Sequence, residues 1–348
     1  MPRLSVTFLT VLLLAPLPGR AEVVSPGDLQ ALARHTQSLQ AVYAHGLAIS
    51  MDMDEAEALI DLYVEGGLPE PDTRRQVADV RARVRGAIGD YKAALDALPP
   101  RPRIADDKRE RGLQAFEGMV RGLTANLEAQ WRLLERLMET AASGDGSAYD
   151  RASADSLALA GDLIDAENTA VEAALLGAGP GHPQRGLYHS SIGSNLAMRA
   201  ALILLEDSKR GGKPRVDDAR GAIEQGLARA ERGIESGRRD AGAMLAKIGG
   251  GPAVTAADRI GKRFIQDLVA AYGRAFDDEA RIVAVMRGFL DALVAAMEAP
   301  QTEATVRLTM AAQAFQADIV ALVDARLDEQ NARMRLVEEF SAAMAAAQ

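Results

Sequence analysis

The chain has 348 residues, a formal net charge of −9, 26% charged and 48% hydrophobic residues, and no cysteine. That balance excludes a disordered chain and argues against binding nucleic acid or anionic lipid through the overall field. It also removes disulfides, thiol catalysis and cysteine-based metal or haem sites. Aromatic residues are only 4%, so the core has to come from many small contacts along helices rather than a few large anchors.

The first element is Met1–Ala21. Arg3 precedes an apolar run over Leu4–Leu17, Pro16 and Pro18 break any helix, and Gly19-Arg20-Ala21 puts small residues at the −3 and −1 positions of a cleavage site. This is the layout of a secretory signal peptide, and the run is short of the ~18–20 residues a spanning helix needs. The expectation is an exported protein, periplasmic or extracellular, that matures near Ala21. Loss of residues 1–21 removes Arg3 and Arg20 and no acid, which moves the charge from −9 to −11.

The mature sequence is punctuated by Gly and Pro, and between the breaks the apolar residues recur at helical spacing. The first segment opens at Pro26 and closes at Gly66 to Pro71; Asp52 and Glu55 form a candidate capping box that predicts a kink near Met51. The second stops at Pro99-Pro100, the third at Gly144, the fourth in Gly177–Pro183. The fifth begins near Gln184 and stops at Gly211–Pro214, the sixth at Gly249–Pro252, the seventh at Ala299-Pro300, and the eighth continues almost to the C-terminus. A Gly stop followed by a Pro that cannot continue the helix is the expected punctuation.

Two seams are explicit. Leu113, Phe116, Val120, Leu123, Leu127, Leu134 and Leu137 follow steps of three and four, interrupted at Gln130. Ile265, Leu268, Tyr272, Phe276, Val283, Met286, Leu290, Leu293 and Met297 do the same, interrupted at Glu279. Such seams build bundles, and no alternating run bounded by hairpin turns occurs. The fold class expected is all-α without a sheet: an elongated antiparallel bundle of about eight long helices, some about forty residues or ~60 Å long. The loop at 177–186 is the best midpoint, dividing residues 22–180 from 181–348, four helices on each side.

Glycines inside helices cost about 1 kcal/mol each relative to Ala. Gly118 with Gly122, and Gly233 with Gly237, share helix faces. Composition accounts for them in an Ala-rich chain; close approach of two backbones is the alternative reading.

Chemistry-bearing residues are few. His35 and His45 read as packing or surface histidines. Met51–Glu55 with Glu57 reads as a solvated, acid-rich helix start rather than a metal site. The basic clusters Arg81/Arg83/Arg85 and Arg238-Arg239 read as solvated faces with intrahelical pairs. One stretch stands out: His182, Arg185, Tyr188, His189, Ser191 and Asn195 follow the longest Gly/Pro loop. Tyr188, Ser191 and Asn195 share one helix face, and the helix start with Arg185 offers donors to an anion.

No catalytic residues, cofactor or metal set can be assigned. The sequence points to a non-catalytic helical scaffold that acts through protein contacts or self-association along helix faces, without nucleic acid and without membrane insertion. The alternative is a periplasmic small-ligand or metal-binding protein, or less readily an enzyme, using 182–195.

Overall fold

The computed structural model describes residues 26–64, 66, 70–102, 107–249, 255–298 and 302–347. The stretch Met1–Ala21 lies outside them. Among the described residues there are eight α-helices and no strand: α1 (Pro26–Val64), α2 (Glu70–Asp96), α3 (Asp107–Ser143), α4 (Gly146–Gly177), α5 (Gln184–Lys209), α6 (Val216–Gly249), α7 (Ala256–Glu298) and α8 (Thr302–Ala347). None of them is long and apolar enough to cross a membrane.

The breaks work through specific chemistry. Gly144 and Gly211 end their helices at φ +72, a left-handed conformation that only Gly adopts without penalty. At the second of these, the Gly212 N–H closes on the Asp207 carbonyl at 2.9 Å. The starts are capped too. Asp145 accepts the Ala148 N–H at 2.9 Å. Thr255 and Asp258 cap reciprocally, each side chain accepting the other's backbone N–H, which satisfies two donors that a helix start leaves open.

The first segment departs from expectation at one point. α1 runs as one continuous helix from Pro26 to Val64, so no helix starts near Met51. Met53 is buried in the core. Asp52 and Glu55 turn instead to Arg83 of α2, at 3.8 and 2.5 Å. The basic clusters likewise pair across helices rather than within them: Arg81 meets Glu135 of α3 at 2.5 Å and Arg238 meets Asp277 of α7 at 2.7 Å.

α1 packs on α2, α3 and α8; from α3 to α8 each helix packs on the next, and α5 also reaches α7. The seven seam residues of α3 are all buried. Its interruption is filled by the adjacent Trp131, 7% exposed, with the Arg81 guanidinium over the ring. Two apolar clusters result. One collects α1, α2, α3 and α4 and takes in Tyr188 and Ile192 of α5. The other collects α5, α6, α7 and α8 and takes in Ile164 of α4. α4 and α5 therefore contribute to both cores.

The close-approach reading of the glycines holds on α6 and fails on α3. A Cβ at Gly118 or Gly122 would meet nothing within 4 Å, whereas one at Gly233 would lie 2.7 Å from the Gly186 carbonyl oxygen and one at Gly237 would run into Phe276. Gly193 of α5 sits equally tight: a Cβ there would run into the Ala230 nitrogen and lie 2.5 Å from the Gly226 oxygen. Along this contact Gly186 meets Gly237 while Gly193 meets Ala230, so the two helices run in opposite directions. Their backbones touch because five glycines, Gly186, Gly193, Gly226, Gly233 and Gly237, leave no side chains between them.

Candidate functional site

α5 is the helix on which the sequence concentrates its polar residues, and the fold surrounds it with α4, α6 and α7. Gln184, Tyr188, Ser190, Ser191, Ser194 and Asn195 are all buried, none more than 1% exposed. Buried polar groups need partners; Gln184 and Tyr188 find each other, and Ser190 finds its partner on another helix.

The six residues singled out in sequence separate into distinct contacts. Tyr188, Ser191 and Asn195 share a buried face of α5. Arg185 points back to α4, where its Nη1 donates to the carbonyls of Ala178 at 2.9 Å and Leu175 at 3.3 Å. It thus neutralises the negative end of that helix. His182 accepts the Gln184 N–H on Nδ1 at 3.2 Å and sets its ring edge-on to Tyr272, with centroids 5.9 Å apart. His189 is half-buried on the α6 side, its Cβ against Gly233. Burial and the guanidiniums of Arg229 and Arg185 push its pKa below the ordinary histidine value.

Three further groups escaped the sequence reading. Gln184 donates to the Tyr188 hydroxyl at 2.6 Å. Ser190 donates to Glu279 Oε2 at 2.8 Å, so the interruption in the α7 seam is a fully buried carboxylate joined to α5. Arg333 of α8 is fully buried with its guanidinium carbon 5.7 Å from the Tyr272 ring centre, within cation–π range. Glu279 was visible as a break in periodicity. Nothing in the local pattern marks Arg333, because an isolated Arg on a charged helix looks like any solvated one.

Chemically, the two buried phenols of this arrangement keep their protons. Burial raises the Tyr188 phenol, with Tyr272 adding to the effect and Gln184 opposing it. Burial raises Tyr272 as well, with Arg333 opposing. Both phenols therefore stay protonated near neutral pH and act as hydrogen-bonding groups, not bases. Among the described residues no group of three His, Asp or Glu side chains is placed to hold a metal ion. Neither amide atom of Asn195, nor the hydroxyls of Ser194 and Tyr272, has a hydrogen-bond partner among the described residues.

Comparison with protein-family models, with curated proteins and with solved structures yields no match to this chain.

Proposed function

We infer that the chain is a non-catalytic helical scaffold, exported through the signal peptide at Met1–Ala21, that works in the periplasm or outside the cell by protein contact or self-association along its helix faces. Its architecture is an elongated antiparallel bundle in two halves, 22–180 and 181–348. The observation that carries this reading is how the polar residues of α5 are used. Arg185 binds the end of α4, Ser190 binds Glu279 of α7, and Gln184 binds Tyr188. Two of these side chains, Arg185 and Ser190, tie α5 to neighbouring elements, and Gln184 and Tyr188 engage each other along α5.

A second reading has one specific observation behind it: the unpaired amide of buried Asn195, with Ser194 beside it, suits a small polar ligand. A single variant separates the two. On the scaffold reading, Asn195→Leu removes a buried unsatisfied amide for a side chain of similar size, and stability is unchanged or raised by up to ~1 kcal/mol. Wild-type protein should then show no saturable thermal shift with inorganic phosphate, divalent cations or free amino acids. A saturable shift in wild type that disappears in Asn195→Leu establishes the ligand reading instead.

A further inference from the structure

The seam between α4 and α5 has a buried amide on each side. On α5, Tyr188 and Ile192 belong to the core built by α1 to α4, and Arg199 donates to Asp165 of α4 at 3.1 Å. Asn195 lies between Ile192 and Arg199 at helical steps of three and four, so it shares the face that looks at α4. On α4, the Arg199 guanidinium covers Gly161, and Asn168, two turns further on, returns to that same side. Arg185 closes the other end of the seam on the carbonyls of Leu175 and Ala178. The two helices therefore run antiparallel, and Asn168 and Asn195 stand at the same level to within about one turn.

Asn195 is fully buried and Asn168 is 9% exposed. Neither amide atom of Asn195, nor Oδ1 of Asn168, has a hydrogen-bond partner among the described residues. The open set is two carbonyl oxygens, which accept, and one NH2 group, which donates. An ammonium ion only donates and a carboxylate only accepts, so neither meets all three atoms. Water donates two hydrogen bonds and accepts from a third group, and a buried water takes two to four such partners. The guanidiniums at the two ends of this stretch are held by Asp165 and by the end of α4.

We propose that a buried water molecule bridges Asn168 and Asn195 and is a built-in part of the α4–α5 contact. It donates to both carbonyl oxygens and accepts from Asn195 Nδ2, and so joins the two helices that contribute to both apolar cores. Such a water adds a solvent site to the scaffold reading, and it meets the Asn195 amide where the ligand reading needs a solute. The two amides are not equivalent. Asn168 lies at the edge of the seam, where its side chain can turn to outside water, whereas Asn195 has no such recourse.

The asparagines of the chain are Asn126, Asn168, Asn195 and Asn331, so 15N-Asn labelling of the full chain leaves few side-chain amide signals to assign. The expected result is a nuclear Overhauser contact between the Asn195 NH2 and water, with the sign of a long-lived, buried molecule. Stability reads the same bridge. Asn168→Leu removes one end and strands Asn195, which should shift the unfolding equilibrium by roughly tenfold toward the unfolded state. Asn195→Leu frees Asn168 to turn outward and costs little, and the double variant should regain wild-type stability. Two neutral, additive substitutions overturn the proposal, as does coupling without a water contact, which means a direct bond between the amides. A water signal displaced by inorganic phosphate or a free amino acid overturns it in favour of the ligand reading. Should Asn168→Leu fail to fold, the wild-type spectrum decides alone.

Discussion

Gly193→Ala should destabilise the protein by about 2–3 kcal/mol or more, whereas Gly118→Ala should stabilise it by about 0.5–1 kcal/mol. The chemical change is the same methyl on the same kind of helix. At Gly193 the new Cβ would run into one backbone nitrogen of α6 and lie 2.5 Å from a backbone carbonyl oxygen. Backbone cannot rotate aside as a side chain can, so α5 and α6 must separate. That separation opens the contact along its length, including Gly186 against Gly233 and Gly237. At Gly118 the Cβ would meet nothing within 4 Å, and only the conformational gain of Ala over Gly remains. Urea unfolding of both variants against wild type measures the contrast, and a Gly193→Ala protein as stable as wild type would mean that the α5–α6 backbones are not in contact.

Phe276→Ala is expected to cost about 3–5 kcal/mol, among the largest losses any single truncation here would produce. The ring is fully buried in the core shared by α5, α6, α7 and α8. It lies over the gap left by Gly237 and stacks on Tyr272 at 6.4 Å between centroids. Rigid backbone on the Gly237 side prevents collapse into the void, and the size of such a loss follows how poorly a site can close. Phe264, only partly buried and stacked on Phe340 at 4.3 Å, should lose less than about 2 kcal/mol on the same truncation. Thermal or urea unfolding of the pair tests the ranking. Equal losses would place the weight of this core elsewhere.

The element pattern was legible in the sequence because helix ends are local. Gly144, Gly211 and the prolines act on their own backbone, and the α3 seam is periodic enough to name its buried residues in advance. The failures are all non-local. Asp52 and Glu55 read locally as a capping box, but Arg83 of α2 pairs with both acids and α1 continues past them as one helix. The glycine faces were indistinguishable in sequence: Gly118 and Gly122 share the spacing of Gly233 and Gly237, and only the neighbouring helix decides which pair is a contact. For the polar residues of α5, pattern shows which groups are present and not where their bonds go. Arg185 finds its acceptors on α4, Ser190 finds Glu279 some ninety residues away in the chain, and Arg333 enters the core without any local sign.

α5 is the central holding element of the fold, contributing to both apolar cores and bonded to the end of α4 and to α7. Native-state hydrogen exchange tests this most directly. Amides of α5 between Leu187 and Leu204 should be among the slowest in the protein, exchanging only through global unfolding, while the amides of α2 exchange earlier through local opening. Exchange of α5 ahead of α2 by a local opening, the behaviour of an element that moves to admit a ligand, would contradict the account.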